Sequence, residues 1–461
     1  MSLLACVMTL AANILTAPPV EAPAPLPPLP SPQQIAWADL ETYAFVHFGP
    51  NTFTNVEWGE GRENPQVFNP TQLDCRQWAR VCRDTGLKAI IITAKHHDGF
   101  CLWPSKHTEH AVKYSPWRGG KGDVLKELSD ACREFGLKFG VYLSPWDRNN
   151  PLYGTGQPYN EYFASQLREV LTSYGEVFEV WFDGACGEGP NGKRQTYDWE
   201  LFVRTVRECQ PNAVIFSDAG PDVRWVGNER GYAGETNWSM LKRDAFFPGI
   251  PNKEKELNEG DIDGTHWLST ECDVSIRPGW FYHPEQDDKV KSVDDLISIY
   301  LGSVGRNGNL LLNLPVDRRG LVHENEAATL KAWRMRLDSM FAHDILRDAR
   351  TPAPQAIDGD DATCWQGDGV RTSALELQLD QPRNITMVVL REPIALGQRI
   401  KSFAIDAADT QGKWNEIAHG TTIGHKRIVG IDRVTTSRLR VRILDSRAAP
   451  LLSTISAYDI Q

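Results

Sequence analysis

The sequence predicts an α/β fold, a (β/α)8-like barrel followed by a smaller all-β domain. Three observations predict it. From Ala36 to about Ala342, short apolar runs alternate with amphipathic stretches of helical spacing, the order that βα units and a parallel sheet produce. One of those runs, Lys88–Ala94 (KAIIITA), is apolar almost throughout, as a strand buried on both faces must be. After Thr351 the pattern changes to alternating apolar and polar residues separated by turn residues, the mark of an antiparallel sandwich.

Each element has its own reason. Tyr43–Phe48 is a short apolar run that reads as the first strand. Cys75–Thr85 has helical spacing, with Gly86 placed to end it in the left-handed conformation that glycine tolerates. Lys88–Ala94 is the second strand, Asp123–Phe135 an amphipathic helix capped by Gly136, and Lys138–Ser144 (KFGVYLS) the third strand. Tyr159–Ser173 is helical, Val177–Phe182 (VFEVWF) a strand, Leu201–Cys209 helical and Ala213–Phe216 (AVIF) a strand. These units, with helices near Val293–Val304 and Glu326–Phe341, fit an eightfold barrel. Trp225–Thr270 is irregular and leaves the later strands unplaced. The alternative is an open doubly wound sheet, but no Gly-rich phosphate loop follows the first strand. In the all-β part, strands are expected at Leu375–Leu379, Thr386–Arg391, Ser402–Asp406, Arg427–Ile431 and Ser437–Leu444. The domains then run 1–32, 33–346 and 347–461.

The first of these is not a folded domain. Met1–Ala17 is apolar and rich in small residues, and Pro18–Pro32 is a Pro/Ala stretch. Together they read as a signal-peptide-like segment and a disordered linker, which predicts a secreted or periplasmic protein. The charged start of such a peptide is missing, because the opening residues hold no Lys or Arg. No other run is long enough to span a bilayer.

Composition narrows the partners. The 461 residues are 41% hydrophobic and 24% charged, with a formal net charge of −11. An acidic chain with no block of Lys or Arg argues against nucleic acid and anionic membranes. Of the 15 Trp residues, 12 lie between Trp37 and Trp280. Indole rings pack on the C–H faces of sugars, and they also build cores; burial is worth about 2–3 kcal/mol per ring in either role. The nine Cys are scattered without a C-x-x-C pair. They read as mostly buried thiols with at most one bridge, not as a zinc site or a disulfide framework.

In a barrel of this kind the residues that end the strands face the active site. Those positions hold His47, then Lys95, His96, His97 and Asp98, then Tyr142 with Trp146 and Asp147, then Asp183, then Ser217 and Asp218, and further on Glu229. A core would place no polar residues directly after apolar runs. Two chemistries use such a set: metal-dependent hydrolysis, and glycosyl transfer by an Asp and a Glu without metal. His96 and His97 are adjacent, so their side chains diverge unless the strand has already ended, and no H-x-H pair occurs. This favours the glycosidase. Any one His is ordinarily structural, but three at successive strand ends are a weaker case for that.

Five segments then carry a resemblance: HFGPNTF (His47–Phe53), EWGEG (Glu57–Gly61), TAKHHDGFCLWPSKHTEH (Thr93–His110), YLSPWDRN (Tyr142–Asn149) and VWFDGACGEGPNGKRQTYDW (Val180–Trp199). Over about residues 36–345 the chain resembles the α-L-fucosidases of glycoside hydrolase family 29. The resemblance implies a (β/α)8-like barrel, retention through a covalent fucosyl-enzyme, and no required cofactor. It implies Asp183 as nucleophile, and His47, Glu57, Trp58, His96, His97, Tyr142 and Trp181 as the fucose pocket. RWVGNERG (Arg224–Gly231) is similar to the subgroup acting on α1,3- and α1,4-linked fucose of branched, Lewis-type glycans. It implies Glu229 as acid/base, with Glu235 and Glu271 as rivals; SPWDRN (Ser144–Asn149) is similar to the same subgroup and implies Trp146 and Asp147 as shaping the site for the sugar beyond fucose. The partners implied are fucosylated oligosaccharides or glycoproteins. AIDGDDATCW (Ala356–Trp365) and GKWNEIAHGTTIG (Gly412–Gly424) resemble a galactose-binding-like module, which either binds sugar or braces the barrel. Its Asp358, Asp360 and Asp361 are a candidate calcium site or a solvated turn.

Overall fold

The structure is a computed structural model that describes residues 23–460. The signal-like segment Met1–Ala17 lies outside the described residues. Eight strands close a barrel: β1 (Thr42–Val46), β2 (Ala89–Lys95), β3 (Lys138–Leu143), β4 (Glu179–Trp181), β5 (Val214–Ser217), β6 (Val223–Trp225), β7 (Ser269–Ser275) and β8 (Gly308–Asn313). Neighbours are parallel all round, and β8 closes on β1. Because side chains alternate along a strand, each run feeds two cores. Ile90 and Ile92 group with the helix residues Trp78, Cys82 and Leu128. Ala89 and Ile91 group with Tyr43, Phe45, Tyr142, Trp181 and Leu311 inside the barrel.

The helices begin where the sequence supplies caps. Asp74 accepts from the first-turn N–H groups of α1 (Cys75–Asp84), and Asp123 does so for α2 (Val124–Phe135), which ends at Gly136 with φ +71°. The helices α3 (Gln157–Ser173), α4 (Trp199–Cys209), α5 (Val293–Ser303) and α6 (Glu324–Met340) complete the shell. No helix joins β5 to β6. The ladder pairs Phe216 with Val223, so β6 starts level with the middle of β5. The chain steps back only about two residues, and a crossover, which otherwise takes a dozen or more, is not needed.

The irregular stretch after β6 is ordered by Arg224. This fully buried guanidinium bonds Leu257 O at 2.8 Å and Asn237 Oδ1 at 2.9 Å, and burial pushes its pKa down to about 9. It ties β6 to a short helix, Glu254–Glu259, and to the loop before the two-stranded pair Met240–Leu241/His266–Trp267.

The C-terminal domain is a five-stranded antiparallel sheet in the order β11-β10-β12-β9-β13, where β9 is Ser373–Arg391, β10 Ile400–Ala408, β11 Trp414–Gly420, β12 Arg427–Ser446 and β13 Thr454–Tyr458. A two-stranded sheet, Trp365–Gln366 with Leu451–Leu452, shares its core. Four expected short strands are two long ones: β9 and β12 each run through the gap, with register shifts between Gln378 and Arg383 and between Ile385 and Met387. Bulges bend a strand without ending it, which the turn-like residues there do not reveal.

The sandwich is bolted to the barrel near the start of β1. Burial alone would raise the Glu41 carboxyl, but the adjacent Lys426 and Arg391 bring it down to about 2. Arg427 pairs with Glu235 at 2.8 Å, and Gln398 Oε1 accepts from Ser239 N at 2.7 Å. The module therefore braces the barrel. The Pro/Ala linker corrects an expectation: its second half is not free. Leu26 N bonds Leu396 O at 3.0 Å, and Ala24 O accepts from Arg399 at 2.6 Å; carbonyls that proline-rich backbone leaves open are taken by sandwich arginines. The eight described Cys are all unbridged. Asp358 accepts from Asp360 N and Thr363, while Asp361 pairs with Arg391 and Thr454.

Candidate active site

The C-terminal ends of the strands enclose a cavity of about 450 Å³. His47, Glu57, Trp58, His96, His97, Tyr142, Trp181, Asp183 and Glu229 all line it, joined by Phe45, Asp273 and Trp280. A larger cavity of about 570 Å³ lies between the barrel and the sandwich. Its lining includes Glu41, with which both Arg391 and Lys426 pair, and none of the strand-end residues.

Asp183 follows β4 by two residues and is held at both oxygens. Oδ1 accepts from Ala185 N at 2.7 Å and Oδ2 from the Tyr142 hydroxyl at 3.0 Å. Burial, and then the charge of Asp183, raise the Tyr142 hydroxyl well above its ordinary pKa, so it stays a donor. His97 Nε2 lies 3.7 Å from Asp183 Oδ2.

The histidine tautomers follow from their partners. The Asn313 amide nitrogen donates to Ser275 Oγ and Trp280 O, so its Oδ1 accepts from His47 Nδ1 at 2.8 Å. Ser144 Oγ donates to Trp146 O and therefore accepts from His97 Nδ1, also at 2.8 Å. In the neutral ring the other nitrogen is then an acceptor, which both rings present to the cavity. Burial holds His47 down to about 3 and His97 below its ordinary value, the latter against the pull of Asp183. His96 stacks on Tyr142, and its buried Nδ1 has no partner among the described residues. Glu57 accepts from Trp280 N at 2.9 Å and from His283 Nε2 at 2.5 Å.

Glu229 stands at the rim. Trp280 Nε1 donates to its Oε2 at 3.2 Å. Burial raises its pKa, Trp280 opposes this, and Asp183 and Glu57 add to it. The two rivals sit elsewhere. Glu235 is engaged by Arg306 and Arg427 beside the sandwich. Glu271 is fully buried inside the barrel, bonded to Tyr43 and, at 2.6 Å, to Trp181 Nε1.

Two candidates act from behind the wall rather than on it. Asp147 is buried: Oδ2 pairs with the buried Lys95 at 3.0 Å, and Oδ1 accepts from Asn149 N and Asn150 N. It does not line the cavity as a sugar-binding carboxylate would. A buried ammonium demands that counter-charge, and the bond fixes the loop after β3. Trp146 lies over His97 with Nε1 on Glu188 O, and Trp58 meets it edge-on, 62% exposed at the rim. Ser217 and Asp218 turn away to Gly220 O and Gly249 N. Among the described residues, no three His, Cys, Asp or Glu side chains gather as a metal site.

Trp280 and Asp273 were missed in the sequence. β7 and the loop after it were unplaced, so neither could be read as a strand-end residue.

Comparisons with known proteins agree with this geometry. The family model for α-L-fucosidase matches residues 34–335, and that for a NedA-like galactose-binding domain matches residues 355–441. Alpha-L-fucosidase 1 of Arabidopsis thaliana is 42% identical over 453 residues, covering 95% of this chain and 88% of that protein. The crystal structure of SpGH29 superposes with a TM-score of 0.90 at 40% identity, over 95% of this chain and all (100%) of that one. A Ruminococcus gnavus GH29 fucosidase in complex with fucose superposes with a TM-score of 0.88 at 31% identity, over 96% of this chain and 97% of that one. The barrel, its cavity and these matches agree, and the chain belongs to the α-L-fucosidases of glycoside hydrolase family 29.

Proposed function

We propose that this α-L-fucosidase works with retention, with Asp183 as nucleophile and Glu229 as acid/base, on α1,3- and α1,4-linked fucose of branched, Lewis-type glycans. One observation carries the mechanism: the two carboxyls that share the cavity have different environments. Asp183 receives a hydrogen bond at each oxygen, and these fix it in the cavity. Glu229, exposed at the rim, sits where partial desolvation and the neighbouring negative charges favour its proton. A carboxyl held in place by two donors and a second whose surroundings favour its proton suit a nucleophile and a general acid. His47 and His97 offer lone pairs to ring hydroxyls, and Phe45 and Trp181 offer an apolar wall for the C5 methyl.

The linkage preference rests on the likeness of RWVGNERG and SPWDRN to the branched-substrate subgroup. The physical reason is remote binding energy. A neighbouring galactose would meet the exposed Trp58 ring, and that contact would help bring the loop carrying Glu229 onto the glycosidic oxygen. An aryl fucoside makes no such contact and loses rate as well as affinity. The test compares kcat/KM for a Lewis trisaccharide, 2′-fucosyllactose and an aryl fucoside. The trisaccharide is expected to be best, and a lead for either of the others contradicts the linkage assignment.

A further inference from the structure

Asp273 has a place in the cavity that no described role accounts for. It sits on β7, two residues after Glu271, and its side chain lines the cavity while remaining 4% exposed. Oδ1 accepts from Trp225 Nε1 at 2.7 Å, and that is its one side-chain hydrogen bond to a described residue. Trp225 ends β6, four residues before Glu229, so this bond holds the stem of the acid/base loop. Anchoring an indole needs only an acceptor. A carboxyl keeps a second oxygen, here without a hydrogen-bond partner among the described residues.

The surroundings decide what that oxygen can do. Burial, then the charge of Glu229, raise Asp273 well above the usual carboxyl range, and Glu271 adds to this against the Trp225 bond. Burial and the neighbouring carboxylates thus favour the protonated form, in which the carboxyl donates as well as accepts. With Oδ1 accepting, the O–H belongs to Oδ2, and a donor facing a cavity stays unsatisfied until an oxygen arrives.

We propose that Asp273 is a further substrate-binding residue, holding Trp225 with one carboxyl oxygen and donating a hydrogen bond to a hydroxyl of the fucosyl ring with the other. The fucosyl ring is the partner because Asp273 lies deep, next along the strand to the Glu271 that bonds the wall residue Trp181. The proposal rests on Glu229 being the cavity's acid/base only through the shared loop.

The test uses binding of L-fucose by calorimetry and the pH profile of kcat/KM on an aryl fucoside. In Asp273→Asn the carbonyl still accepts from Trp225 and the amide still donates. We expect L-fucose affinity within about threefold of wild type and an unmoved alkaline limb. Asp273→Ala should weaken L-fucose binding at least tenfold, and by more than Trp225→Phe, which removes the indole bond alone. An Asn variant as weak as the Ala variant, or an alkaline limb shifted to lower pH, would mean an ionised, accepting Asp273 and overturns the proposal. So does an Ala variant no weaker than Trp225→Phe, which leaves only the anchor. If the Ala variant does not fold, the Asn variant decides alone. L-fucose binding does not depend on which residue is the acid/base, so an error there appears only in substitutions of Glu229.

Discussion

As the proposed acid/base, Glu229 would hold a proton to let the aglycone leave and then release it to activate water. Its surroundings allow both, because burial and the charges of Asp183 and Glu57 raise it while the Trp280 indole stabilises the ionised form. Glu229→Gln should therefore cut kcat/KM by about 10²–10⁴-fold for fucosides with poor leaving groups, the usual range for a lost general acid. An aryl fucoside or fucosyl fluoride, which needs little protonation, should lose far less. Steady-state kinetics across a leaving-group series checks this. A loss that is the same for all leaving groups would give the role to another residue. The partners that tune these groups are distant in sequence: Asn313 sets the His47 tautomer from β8, and Ser144 sets that of His97 from the end of β3. Local sequence names the histidines and not their protonation.

At the scale of elements, legibility depended on what a strand carries inward. β1 to β4 are apolar runs ended by polar residues, so His47, His96, His97, Tyr142 and Asp183 could be read directly. β7 (STECDVS) points Glu271 and Asp273 into the barrel, where Tyr43 and Trp181 bond Glu271 and Trp225 bonds one oxygen of Asp273. Seen alone it has no apolar run, which is why Asp273, and Trp280 in the loop after it, stayed hidden. β6 is three residues long with a buried Arg in the middle, and no periodicity can reveal that. The loop after β3 gives a prediction of its own. Asp147→Ala strands the buried Lys95 ammonium and removes the acceptor for two backbone N–H groups. It should cost about 3–5 kcal/mol, as breaking a buried pair does. Adding Lys95→Met should recover part of the loss. Denaturant unfolding of the single and double variants checks this, and a double variant weaker than the sum of the singles would contradict it.

For the whole molecule, buried titratable groups set how stability follows pH. Burial raises Asp98, Glu271 and Glu392 to about 7 and Asp218 to about 6. Unfolded, these carboxyls titrate near about 4. Between those values the folded chain binds more protons, so this contribution falls as pH rises through the window. The buried His47, brought to about 3, and His96, brought well below its ordinary value, act in the opposite sense. Below about 6.5 the unfolded chain takes up protons that the fold refuses, so their contribution falls as pH drops. Glu41, held at about 2, adds stability that is lost on further acidification. The two sets oppose each other between about pH 4 and 6.5, and above that only the carboxyl loss remains. The melting temperature should therefore be highest on the acid side of neutrality and decline from about pH 6.5 to 8. Scanning calorimetry across pH reads this, and a melting temperature that climbs steadily over that interval would contradict it.

The central claim is that fucose leaves through a covalent bond to Asp183. The most direct measurement is trapping with 2-deoxy-2-fluoro-α-L-fucosyl fluoride, in which the fluorine slows hydrolysis of the intermediate, followed by peptide mapping by mass spectrometry. The account predicts time-dependent inactivation and a fluorofucosyl label on the peptide carrying Asp183, absent from Asp183→Ala. A label on the Glu229 peptide, or turnover that yields the inverted β-anomer with no label, would contradict it.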